Sequence, residues 1–487
     1  MGQKRSRAAP SYVTQLNRQN IVTSSLSHYL QKARAASNLS NLCILSCGLL
    51  LVFALISEWQ MWSQLQCFAH DELTYMGDYK GKLSTEGRWL NYLLFPILRL
   101  FNGHIVSLVN AGCLFVFSWV ACRRFLSPSA SFVAALVPLT FPPVHAMNYW
   151  AATMLPSYIV VLCAALLYNK TPKWLLLLGS AILLNGGLAT FYFFIPVLYL
   201  GEEKRSELLK TILWWIVAFV VGVAFAELFT FARFGHLIQP ASYRHFHLVT
   251  SISDAQASLH GIKASLSNTL VLFKDRVMML LPFVTLCLLY EIITKKEKNN
   301  IYAIILLSMV AMSVYAHAFV GSLFVVSRSS ICLFFAVFLL FAWSVRRYPL
   351  AVAVVSVIFA SQMLEGNAND IQYWNTLKTA MVNDMSALPY NPREIKRIVF
   401  VADEDNYQRH INKLAEFWRL KNTISRLDYR IAFLPIILKC GYLCPHVFVD
   451  EDGVSEEVQC SLSSIEFRPS GMFMHARVGD ILLLKFP

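Results

Sequence analysis

The sequence predicts an α-helical polytopic membrane protein with a small α/β domain at its carboxy terminus. Three observations predict it. The 487-residue chain is 56% hydrophobic and only 15% charged, with mean hydropathy +0.50, whereas a soluble domain carries about 25% charged residues. Apolar runs of span length recur from residue 41 to residue 364 and then stop. The basic residues sit in short segments between those runs, so the formal charge of +13 reads as membrane orientation rather than a nucleic-acid surface. Membrane lipid is therefore an expected partner and nucleic acid is not.

Residues 1–40 hold Lys4, Arg5, Arg7, Arg18, Lys32 and Arg34 and no acidic residue, a basic leader that the positive-inside rule places in the cytoplasm. The first apolar run starts near Asn41 without a convincing cleavage site, and reads as a retained span. Apolar runs follow near 42–62, 103–121, 129–147, 155–168, 174–200, 211–233, 277–293, 301–320, 329–345 and 350–364. The run 174–200 is ambiguous. As one span it puts Lys204, Arg205 and Lys210 outside; as two short passes hinged at Asn185-Gly186-Gly187 it puts them inside. Two full spans need about 40 residues, so the second reading requires short or broken helices. Charge bias selects it, and a transmembrane domain over 41–364 with about 10–11 helices follows.

This topology leaves external segments at 58–102, 234–276 and 365–487, and short basic cytoplasmic connections. The chemistry is expected on the external face. In the tail, Ile398–Ala402 reads as a buried strand. Residues 407–421 read as an amphipathic helix with Ile411, Leu414, Ala415 and Trp418 on one face, and further strands are expected at 429–434, 446–449 and 481–486. Cys67, Cys440, Cys444 and Cys460 fall in external segments, where a disulfide involving Cys460 is expected.

The first external loop carries the strongest chemical signal: His70-Asp71-Glu72-Leu73-Thr74-Tyr75, then Asp78, then Glu86-Gly87-Arg88-Trp89. The bland reading is a solvated loop with charges. The functional one is glycosyl transfer, which needs a carboxylate to take the proton of an acceptor hydroxyl. It also needs a cation facing the departing phosphate. Asp71 or Glu72 suits the first role and Arg88 the second, while Tyr75 and Trp89 can stack on a sugar or sit in the interface.

An acidic pair just after the first span, followed by Gly87-Arg88-Trp89 before the second, resembles the bacteriophage-type O-antigen glucosyltransferases that convert serotype. They belong to the multispanning C-type glycosyltransferase superfamily. The resemblance covers this loop and the general layout. It implies a polyprenyl-phosphate-linked sugar donor, transfer of the sugar, most often glucose, to lipid-linked O-antigen, and a bacterial inner membrane with the tail in the periplasm. It also implies a catalytic carboxylate matching Asp71 or Glu72. The pair here is Asp-Glu where many members show Asp-Asp. No cofactor and no metal is implied.

The second external loop offers Arg244-His245-Phe246-His247, suited to a phosphate or a sugar hydroxyl, or to anionic lipid headgroups. Arg328 and His317 lie near the external end of the 301–320 run, where both can reach a donor phosphate in the membrane plane. Glu227 lies inside a span and calls for a partner, with Arg233 the nearest in sequence. His104 and His145, the latter beside Pro142-Pro143, read as interfacial or core histidines. A transporter or flippase of lipid-linked sugars and an O-antigen polymerase are the competing classes. A transporter favours internal repeats and midplane charges, and neither is evident.

Overall fold

The fold is described from a computed structural model. It covers residues 39–65, 79–101, 103–201, 204–239, 249–295, 298–320, 325, 327–401, 440–442, 446–448, 465–471 and 473–485. Among the described residues, seven helices are long and apolar enough to cross a membrane: Leu39–Gln64, Gly103–Arg123, Pro142–Leu167, Arg205–Phe234, Arg276–Thr294, Asn299–Val320 and Pro349–Ser386. Shorter apolar helices lie at Trp89–Leu98, Pro128–Thr140, Lys173–Asn185, Ala189–Tyr199 and Ile331–Ser344, the last three on the expected runs 174–200 and 329–345. The bundle shows the polarity that lipid imposes. Leu42, Leu49, Phe53, Val220, Leu228 and Met279 face outward, while Ser118, Thr211, Asn300, His145 and Asp370 are buried. Polar groups turn inward because hydrocarbon offers them no hydrogen bonds.

The run 174–200 is two legs. Lys173–Asn185 is α-helical and Ala189–Tyr199 is a 3-10 helix. At about 1.5 and 2.0 Å rise per residue both come to roughly 20 Å, so the legs match in length. The legs double back: Lys173 Nζ lies 4.9 Å from the centre of the Tyr199 ring. At the hinge, the Gly186 carbonyl accepts from Leu90 N–H at 2.9 Å, and Leu188 N–H donates to Ser157 Oγ at 2.8 Å. Both glycines are required by space. A Cβ on Gly186 would lie 2.4 Å from the Trp89 ring, and one on Gly187 2.6 Å from Ser157 Oγ. The return leg is buried from Thr190 to Tyr199, which is why so short a segment suffices.

Three expectations are corrected. The run 129–147 is not one span: it breaks into Pro128–Leu136, a 3-10 turn Val137–Thr140 and a short helix Pro142–Met147 that leads into Ala151–Leu167. Pro138, Pro142 and Pro143 remove the N–H groups that would continue the ladder. The last helix does not end at 364. It runs unbroken from Pro349 to Ser386, so the boundary expected at 365 falls within it. Hydropathy drops there because Asn367 and Asp370 enter the core, not because the helix meets water. The segment 234–276, expected to be an external loop, also holds a helix, Ile252–Leu270, started by a capping box between Ser251 and Asp254. Hydrogen bonds from Ser251 and Thr250 hold the Asp254 carboxyl below its usual pKa.

The tail forms a five-stranded mixed sheet. We number its strands β1 Arg397–Val401, β2 His446–Phe448, β3 Arg468–Ser470, β4 Phe473–Val478 and β5 Ile481–Lys485. Their order is β2-β1-β5-β4-β3, with β1 parallel to β2 and β5, and the β3–β4 and β4–β5 pairs antiparallel. The strands expected at 398–402, 446–449 and 481–486 are present; the helix expected at 407–421 and the strand at 429–434 lie outside the described residues. Cys440 is a free thiol near the Val382 carbonyl, and Cys67, Cys444 and Cys460 lie outside the described residues.

Candidate functional site

The two ends of the bundle differ in chemistry. One end collects cations. Arg124 Nε donates to the Leu200 carbonyl at 3.1 Å, and Lys173 Nζ bonds Thr211 Oγ1 at 2.9 Å and meets Glu207 at 3.4 Å. Arg346 and Arg347 share buried Glu291. Asn300 Oδ1 accepts from Arg346 and from the Trp343 indole. These are the segments that the charge rule assigns to a single side.

The other end is where the first loop leaves and rejoins the bundle. The Leu65 carbonyl is held by Lys378 Nζ of the last helix. Past residues 66–78, Tyr79 is fully buried and its hydroxyl accepts from Asn91 Nδ2 at 3.3 Å. The same Asn91 amide donates to the Thr153 carbonyl at 3.1 Å, and Asn110 Nδ2 to the Ala151 carbonyl at 2.9 Å. Pro156 lies one turn further along that helix, and the two asparagines brace its opening turn.

Of the sequence-selected residues, Asp71, Glu72, Tyr75, Asp78, Arg244, His245 and His247 lie outside the described residues. Arg88 is paired with Glu86, which also meets Lys82 Nζ at 3.0 Å. Trp89 is 8% exposed and its ring packs against Phe225 and Phe229 as well as Gly186. Its ring thus packs at the Gly186 hinge. Arg328, in the 3-10 turn Ser327–Ser329, is half-buried with its guanidinium 4.8 Å from the centre of the Trp150 ring. Glu227 does not pair with Arg233. Its carboxylate accepts Ile238 N–H at 2.8 Å, and Arg233 Nε donates to Tyr92 Oη at 3.3 Å. His317 rests against the rings of Phe193 and Phe219.

Beneath Trp150, three segments remote in sequence converge on one buried charged centre. Glu58 comes from the first span, His145 from the short helix after the proline break, and Asn367 and Asp370 from the last helix. His145 Nδ1 lies 2.9 Å from Glu58 Oε1, and Nε2 lies 3.4 Å from Asp370 Oδ2, an ionic contact rather than an aligned hydrogen bond. Asn367 Nδ2 donates to Glu58 Oε1 at 2.8 Å and to the Thr140 carbonyl at 3.0 Å. His145 is 1% exposed, Asp370 and Asn367 0%, and Glu58 7%. An aromatic chain leads from this centre along the same end. The Tyr149 ring meets the rings of His145 and Trp62, and Trp62 meets that of His104. Among the described residues no group of His, Cys, Asp and Glu is arranged to hold a metal ion.

Sequence reasoning passed over Glu58 and Asp370 and gave His145 a packing role. One signal was available: ionisable side chains within apolar runs are costly unless they are paired or functional. Comparison with known protein families, with curated proteins and with solved structures finds no match to this chain.

Proposed function

We propose that the protein is a membrane glycosyltransferase that moves a sugar, glucose in the first instance, from a polyprenyl-phosphate donor to lipid-linked O-antigen. The basic end of the bundle is then cytoplasmic and the opposite end periplasmic, in the inner membrane of a bacterium. One observation carries the reading: Arg328 lies over Trp150 at the end where Leu65 and Tyr79 anchor the stretch bearing Asp71 and Glu72. Asp71 is six residues from Leu65 and Glu72 seven from Tyr79. At roughly 3.3–3.6 Å per residue both carboxylates stay within about 25 Å of those anchors. In this reading Asp71 or Glu72 takes the acceptor proton and Arg328 offsets the charge of the departing lipid phosphate. Tyr75, Asp78, Arg244, His245 and His247 contribute to substrate binding. Arg88, already paired with Glu86, supports the loop.

The test is modification of O-polysaccharide in a host that makes both lipid-linked O-antigen and the polyprenyl-phosphate glucose donor. Wild type, Asp71→Ala, Glu72→Ala and Arg328→Ala are compared by glycan mass, with membrane protein levels matched. Hexose addition lost in one well-expressed carboxylate variant supports the reading; unchanged addition in all of them refutes the assignment.

A second reading, a transporter of lipid-linked sugars, is favoured by one feature. The Glu58–His145–Asp370 centre lies within the bundle at a broken helix, an arrangement that transporters use for coupling ions. A lipid-linked sugar that changes leaflet without gaining a hexose would select it.

A further inference from the structure

The Glu58–His145–Asp370 centre takes no part in the transfer reading, and its geometry constrains its protons. A neutral imidazole has one N–H and one lone pair. Both ring nitrogens of His145 face carboxylate oxygens, at 2.9 Å to Glu58 and 3.4 Å to Asp370. Glu58 Oε1 also accepts from Asn367 Nδ2; as a carboxylate it accepts from His145 too, and Nδ1 then carries a hydrogen. If the ring were neutral, an unprotonated Nε2 would lie 3.4 Å from the Asp370 carboxylate. Both groups are buried, where their repulsion is poorly screened. One further proton removes the conflict. Imidazole is more basic than a carboxylate by about two pH units, so Nε2 is its natural place.

His145 Nε2 and Asn367 Oδ1 are wholly enclosed, and Asn367 Oδ1 has no donor. That acceptor adds to the negative potential around the ring. A proton needs no volume.

We propose that this centre is a proton-binding site: one proton on His145, held between Glu58 and Asp370, ties the last helix to the proline-broken segment. Other groups face it from the elements packed on Pro142–Met147. Tyr149 follows in the chain, with its ring 5.8 Å from that of His145. Arg328 comes from the turn Ser327–Ser329 and is held over Trp150. Tyr373 and Lys378 lie further along the last helix, Lys378 on the Leu65 carbonyl. The imidazolium and the two carboxylates together carry one net negative charge. Loss of the proton sets two carboxylates against a neutral ring and loosens the last helix, which leads on toward the carboxy-terminal sheet.

The experiment uses full-length protein labelled with 15N-histidine in lipid bilayers, studied by solid-state NMR across pH. An imidazolium signal is expected at about pH 8, where an ordinary histidine with pKa near 6.5 is neutral. It is absent from His145→Gln. The thermal midpoint should fall as pH rises, because the folded state holds a proton that the unfolded chain releases. Asp370→Asn should lose most of that slope, since its amide can donate to a neutral Nε2. A neutral His145 ring at about pH 6 overturns the proposal, as does an unchanged slope in Asp370→Asn. If Asp370→Asn does not fold, the wild-type spectrum decides alone. The spectrum is independent of whether hexose is transferred, so it fails or succeeds apart from the enzymatic reading.

Discussion

Lys173 and Tyr199 meet at the mouth of a closed hairpin, with the ammonium 4.9 Å from the ring centre. The contact exists because the chain reverses at Gly186-Gly187 beneath Trp89. A side chain at that hinge must displace Trp89 or open the hairpin. Gly186→Val is expected to lower the thermal midpoint sharply, in the range of about 1–3 kcal/mol for overpacking a core. Adding Trp89→Leu should recover part of the loss. Fluorescence-detected size exclusion after heating measures both, and additive effects of the two changes would refute the direct contact.

Removing His145 should cost more than trimming a packing residue of the same size. His145→Phe removes the imidazole between buried Glu58 and Asp370, and breaking a buried pair costs about 3–5 kcal/mol. The triple change Glu58→Gln, His145→Phe, Asp370→Asn should restore much of the stability. A single variant as stable as wild type would show that the centre is not ionised.

Lys378 holds the last described residue before the loop of Asp71 and Glu72. Lys378→Met is expected to lower hexose transfer by about tenfold or more while moving the thermal midpoint little, since misplacement of a positioned group costs rate before stability. Equal loss of activity and of folded protein would assign Lys378 to the scaffold alone.

The sheet carries its own pH response. Burial, then the nearby positive charge of Arg468, pushes the His475 pKa down from 6.5, and its Nδ1 bonds Tyr390 Oη at 2.8 Å. The folded form thus binds the proton less readily than the unfolded chain. Stability from this source is complete above 6.5 and is lost as pH falls from 6.5 through the lowered value. Protection factors in β4 and β5, taken relative to the intrinsic exchange rate at each pH, should fall on acidification below that pH, and His475→Gln should flatten the response. Identical pH profiles in the two proteins would refute it.

Local signals in the chain were legible. Apolar length announced the spans, and Asn185-Gly186-Gly187 announced a hinge, because glycine and span length act over a few residues. The strands Arg397–Val401 and Ile481–Lys485 were legible from their apolar runs. What was not legible depends on distance in the chain. Glu58 and Asn367 share a hydrogen bond across 309 residues, and Glu58 and His145 across 87. No periodicity encodes such a meeting. Read locally, Asn367 and Asp370 looked like the start of a soluble tail, and Trp89 looked interfacial because its partner Gly186 lies in another helix.

The 3-10 return leg has a consequence for biogenesis. Ten of its 11 residues, Thr190 to Tyr199, are buried in protein. A nascent segment so short is a poor substrate for lateral release into lipid, where about 20 apolar residues are the norm. It has to leave the ribosome joined to Lys173–Asn185 and wait, as a loop or a shallow hairpin, until Ile331–Ser344 arrives to enclose it. Two of the rings that close over it, Phe335 on Phe194 and His317 on Phe193, belong to helices made more than a hundred residues later. Closure of this part of the membrane domain therefore waits until residues 331–344 have been made, and truncated chains ending before residue 331 should be the ones that quality-control proteases remove.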